Sequence, residues 1–92
     1  MNEIEVECAP TAGGWLASVK VTGRGGTTEH KVSVSAAELA RFDPDAAEPG
    51  PLVRRSFEFL LEREPRESIM RAFDLTVIGR YFPEYESEIR RR

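Results

Sequence analysis

Few residues in this chain have the types and spacing that chemistry needs. His30 is the only histidine and Cys8 the only cysteine. Histidine titrates near neutrality and acts as a general base when a carboxylate or nucleophile lies within reach. A thiol and an imidazole form a nucleophilic pair when a third group orients the base. Spacing marks no such third group here. A lone histidine on an apolar strand face is ordinarily a hydrogen-bonded, half-buried residue. No catalytic residue is therefore assigned, and an enzyme centred on His30, alone or with Cys8, stands third among the functions considered.

The carboxylates offer little more. Glu58, Glu62, Glu64 and Glu67 form a cluster, and Glu58 and Glu62 share a helix face with Arg54 and Arg55. Arginines at that distance hold carboxylates ionised, which does not suit a general acid. With no histidine nearby, a metal site would be all-oxygen and weak. Glu3, Glu5 and Glu7 fit a solvated strand face whose like charges discourage edge pairing. No metal and no cofactor is expected. The glycines of Gly23-Arg24-Gly25-Gly26-Thr27 are followed by a strand, so a hairpin is expected there rather than a phosphate cradle.

Binding is the better prospect. Six of the eight aromatic residues and nine of the thirteen basic ones fall in the second half of the chain. The candidate binding residues are Arg54, Arg55, Arg71, Arg80, Tyr81 and Tyr85. Tyr81, Phe82 and Tyr85 around Pro83 make either an exposed aromatic platform, of the kind enriched in interface hot spots, or the anchor of a C-terminal helix. Two short helices predicted at 65–72 and 74–81 raise a helix-turn-helix, in which Arg71 and Arg80 would approach phosphates. The second of these, DLTVIGRY, is apolar and poor in base-reading side chains. Arg90, Arg91 and Arg92 suit the C-terminal end of a helix dipole.

Composition bounds these options. Ninety-two residues make one domain, with a β-rich part (1–42), a linker (43–51) and a helical part (52–92). A chain this short has little apolar material to spare for an internal catalytic cavity. The formal charge is −3, which gives no global pull toward nucleic acid or membrane. It divides as −4 over residues 1–50 and +1 over 51–92. One cysteine allows no intrachain disulfide, the acidic start MNEIEVEC is unlike a secretory signal, and no apolar run is long enough for a membrane span. The expected location is cytoplasmic.

Three stretches alternate polar and apolar residues and predict strands at 2–8, 15–22 and 27–34. Ile4, Val6 and Cys8 share one face, as do Trp15, Ala17, Val19 and Val21, and then His30, Val32 and Val34. APTAGG, 9–14, predicts a turn. Ser-Ala-Ala-Glu at 35–38 is a capping box opening a helix over 36–42. Asp43-Pro44 ends it, and Pro51 starts the main helix. On that helix Leu52, Val53, Phe57, Phe59, Leu60 and Leu61 span roughly 200°. An arc so wide needs two coverings, either the sheet and the C-terminal helices or the sheet and a partner subunit. A last helix is predicted over 83–90.

The segment SFEFLLEREPRESIMRAFDLTVIGRYFPEYESEI resembles the C-terminal part of small bacterial proteins without an assigned activity. The resemblance implies a bacterial source and nothing about chemistry. The expected fold is α+β: a three-stranded antiparallel meander, a short helix, a Pro-rich linker and a helical half packed on one sheet face. The expected function is a non-catalytic interaction or regulatory domain acting through a protein partner or a homodimer. The second expectation is a nucleic-acid-associated module using the helical arginines.

Overall fold

A computed structural model describes residues 2–92. The alternating stretches form β1 (Glu3–Thr11), β2 (Gly14–Gly23) and β3 (Gly26–Ser35), an antiparallel meander. The register sets Val6 beside Val19 and Val19 beside His30, and sets Cys8 beside Ala17 and Ala17 beside Val32. The apolar sets of all three strands therefore share one face. Glu5, Lys20 and Glu29 align on the other, which is open to solvent.

β1 runs through Ala9, Pro10 and Thr11, which composition assigns to a turn. Proline is tolerated in a strand where its missing N–H faces a free edge. The Arg54 guanidinium donates to the carbonyl of Ile4 at 2.5 Å, so that carbonyl points away from β2. Residues two apart face the same way, which places the Pro10 nitrogen on the same free edge. One carbonyl is capped and one donor is absent, so this edge is a poor template for adding a strand.

α1 (Ala36–Phe42) opens on the expected capping box. Glu38 N donates to Ser35 Oγ at 3.0 Å, and Ser35 N donates to the Glu38 carboxylate at 2.6 Å. α2 (Gly50–Leu61) carries Pro51 in its first turn, and the Gly50 amide donates to Glu48 at 2.6 Å. Leu52, Val53, Phe57 and Phe59 are fully buried. The wide apolar arc is covered within the chain. Phe57 meets His30 of β3, while Phe59 packs edge-on against Tyr85 of the last helix. No partner subunit is needed to cover α2.

The helix predicted at 65–72 is absent. A single 3₁₀ turn at Arg66–Ser68 leads instead to a fourth strand, β4 (Ala72–Asp74), paired parallel to β3. The sheet is thus four-stranded and mixed, in the order β1-β2-β3-β4. The reason lies on β3, whose outer edge would otherwise leave backbone groups unpaired. Lys31 N donates to Arg71 O at 2.7 Å, and Leu75 N donates to Ser33 O at 3.0 Å. Ser33 Oγ also donates to Asp74 at 2.7 Å, which fixes the register. The predicted helix 74–81 shrinks to α3 (Val77–Tyr81), and α4 (Tyr85–Arg91) closes the chain. Without consecutive helices at 65–81, the helix-turn-helix expected there does not form. Among the described residues no helix is long and apolar enough to cross a membrane.

Candidate functional site

The detour through β4 builds a cleft. Met70 lies on the approach to the strand and Phe73 within it. α3 then turns Val77, Ile78 and Tyr81 back toward the end of α2. With Leu60, Ile69 and Phe82 these residues line a cavity of about 280 Å³, and Glu64 and Ser68 complete its wall. Leu60, Ile69 and Ile78 are buried and form the floor. Met70 is 42% exposed and Tyr81 69%. Only one other large apolar side chain among the described residues is so exposed, Leu16 on the open sheet face.

His30 fixes one lip of this cleft. Its ring is buried, and Nδ1 lies 2.8 Å from the carbonyl oxygen of Met70. A carbonyl only accepts, so Nδ1 carries the proton and donates. Nε2, 2.9 Å from Thr28 Oγ1, then accepts from that hydroxyl. Burial lowers the pKa of His30, the nearby Arg71 charge lowers it further, and the bond to Met70 acts in the opposite direction. Both ring nitrogens are thus engaged in positioning. Cys8 aligns with Ala17 and Val32, not with His30, and β2 runs between them. Burial and the Glu48 charge raise the Cys8 pKa, which favours the unreactive thiol.

The predicted binding residues do not converge. Arg54 caps Ile4 on the β1 edge, and Arg55, three-quarters buried, pairs with Asp43 at 2.8 Å. These contacts replace the pairing with Glu58 and Glu62 that helix spacing suggests. Arg71 adjoins β4, at the opposite side of the sheet from β1. Three strand spacings, about 14 Å, separate those edges. Arg80 lies on α3 beside Tyr81, and among the described residues neither Arg71 nor Arg80 has a carboxylate within ion-pair distance.

Tyr81 and Tyr85 part company. Tyr85 is 1% exposed and serves as a core anchor, so it contributes no exposed platform. Its hydroxyl bonds to Ser56 Oγ at 2.7 Å, and burial pushes its pKa up to about 12. Tyr81 is the exposed member, and Phe82 is half-buried beneath it. Sequence marks only Tyr81 and Phe82 of the cleft for binding and misses the rest, among them Met70, Val77 and Glu64. Each has ordinary helical spacing, and only the long-range pairing of β4 with β3 turns them toward one another.

The acidic cluster is largely committed. Arg63 stacks on the Phe59 ring at 3.6 Å and pairs with Glu62, Glu84 and Glu88. Arg92 reaches Glu62 at 2.6 Å, and Arg66 pairs with Glu67 at 3.2 Å. Among the described residues no group of three or more His, Cys, Asp or Glu could hold a metal ion. A pair of carboxyls does meet at the junction of α1 and β4. Burial raises the pKa of Glu38, and hydrogen bonding to Asp74 raises it further. Asp74 is held at about 2 despite partial burial, by bonds from Glu38, Thr76 and Ser33. The two carboxyls are thus shifted in opposite directions where α1 meets β4.

Neither family models, curated proteins nor solved structures give a match to this chain.

Proposed function

We propose that this chain is a non-catalytic interaction domain whose binding surface is the cleft between Met70 and Tyr81. The observation that carries the proposal is that, among the described residues, two of the three exposed large apolar side chains stand at the mouth of one apolar cavity. Exposed apolar groups scattered singly are normal, whereas groups gathered at a concave site mark a contact surface. Tyrosine and methionine are both enriched at interfaces, tyrosine for its large area and low rotamer cost. The occupant is a protein segment presenting an apolar side chain. A cytoplasmic location agrees with a single thiol, half-buried and unreactive.

The test is a photo-crosslinking amino acid at position 81, compared with the same group at exposed Thr27, in the cells from which the sequence comes. A discrete adduct from position 81 and none from position 27 is the expected result. An adduct at twice the protein's own mass would make the partner a second copy. No discrete adduct from position 81, or the same adducts from both positions, would overturn the proposal.

A further inference from the structure

We infer that the partner segment brings a cationic side chain, Lys or Arg, to Glu64 beside the apolar group that fills the cleft. This rests on the proposed function and specifies the chemistry of the partner. Glu64 is the one charged side chain in the cleft wall. The turn after α2 places it there, with its amide donating to Leu60 O at 2.9 Å. It is half-buried, and burial raises its pKa.

Glu64 has no cation of its own among the described residues, and the basic neighbours on either side are engaged elsewhere. Arg63 is held by Glu62, Glu84 and Glu88 and by the Phe59 ring. Arg66 is buried and directed to the carbonyl of Arg24 and to Glu67. A partner covering the cleft removes water from Glu64. An uncompensated carboxylate under such a cover is costly, and a facing ammonium or guanidinium offsets that cost. An acidic segment meets repulsion at the same place. Complementary charge of this kind selects among partners that are equally apolar.

The experiment is an NMR titration of the whole chain, following the methyl groups of Ile69, Met70, Val77 and Ile78. The probes are three short helical peptides with the same apolar face, Phe and Leu one turn apart. They differ only in whether the flanking position is Lys, Gln or Glu. The Lys peptide is expected to shift the cleft methyls and to bind about tenfold tighter than the Glu peptide. In Glu64→Gln the three affinities should converge to within about twofold, with the ring-shifted core methyls unmoved as a check on folding. Equal binding of all three peptides by the wild type would overturn the inference and leave the cleft proposal standing. So would a Lys preference that persists in Glu64→Gln. If no peptide perturbs the cleft, the inference and the cleft proposal both fall.

Discussion

The Nδ1–H of His30 donates to the carbonyl oxygen of Met70 across 2.8 Å, joining the middle of β3 to the lip of the cleft. The bond spans forty residues of sequence. It holds the chain where the 3₁₀ turn gives way to β4, and it sets where the Met70 side chain leaves the surface. The histidine that first suggests catalysis works as a fastener.

The companion bond, in which Nε2 accepts from Thr28 Oγ1, depends on a neutral ring, whereas the donation to Met70 does not. The folded-state pKa of His30 lies below its ordinary value of 6.5, chiefly because of burial. A depressed pKa means that the unfolded chain takes up the proton first as pH falls. The stability His30 contributes is therefore present above about pH 6.5 and is lost progressively below it. Urea denaturation at a series of pH values should show a decline beginning there, and His30→Phe should lack it. His30→Phe also leaves the Met70 carbonyl without its donor, at a cost of about 1–3 kcal/mol at neutral pH.

Tyr85 should matter to the fold and not to binding. Tyr85→Phe loses the 2.7 Å bond to Ser56, yet Ser56 Oγ still donates to Leu52 O. A cost of about 0.5–1.5 kcal/mol is expected. Tyr85→Ala also leaves a cavity beside Phe42 and Phe59 and should cost about 3–5 kcal/mol. Thermal or urea unfolding separates the two variants.

Met70 and Tyr81 should behave in the opposite way. Tyr81 is mostly in water, so Tyr81→Ala should change stability by no more than about 0.5 kcal/mol, and Met70→Ala, about half covered, by no more than about 1 kcal/mol. Partner binding should nevertheless fall. A variant that unfolds the chain would place the side chain in the core instead. The discriminating measurement is the same denaturation series as for Tyr85, read beside crosslinking yield.

The Glu38–Asp74 contact predicts two opposed pH effects. Asp74 has a folded pKa of about 2 against 3.8 ordinarily, so its contribution is present above 3.8 and lost as pH falls toward 2. Glu38 is raised from 4.5, so its contribution is present below 4.5 and lost as pH rises through the higher folded value. Asp74→Asn should remove the first effect and weaken the second. Carbon-detected NMR titration of the two side-chain carboxyls checks both directions.

The local elements were legible because their causes are local. Alternation placed the first three strands, Ser35 and Glu38 placed α1, and the apolar arc of α2 correctly demanded two coverings. β4 was not legible. Ile69, Met70 and Phe73 have helical spacing, and what makes the segment extended is the unpaired edge of β3, forty residues earlier. The cleft was hidden for the same reason, since Met70, Val77 and Glu64 meet only after that pairing. The partners of Arg54 and Arg55 were not legible, because helix spacing shows nearby carboxylates but not the carbonyl of Ile4 or the side chain of Asp43. Of the FPEYE string, Tyr85 is in the core and Tyr81, just before Phe82, is at the surface. Composition cannot separate them, because both are tyrosines beside a proline turn.

The central claim is that the Met70–Tyr81 cleft is where this chain meets its partner. Competition tests it most directly: the crosslink from position 81 is formed in the presence of excess unlabelled protein, either wild type or Met70→Glu. Wild-type protein should abolish the adduct, and Met70→Glu, equally folded by circular dichroism, should leave it intact. An adduct that Met70→Glu removes as well as the wild type does would show that the partner is held elsewhere, and would contradict the claim.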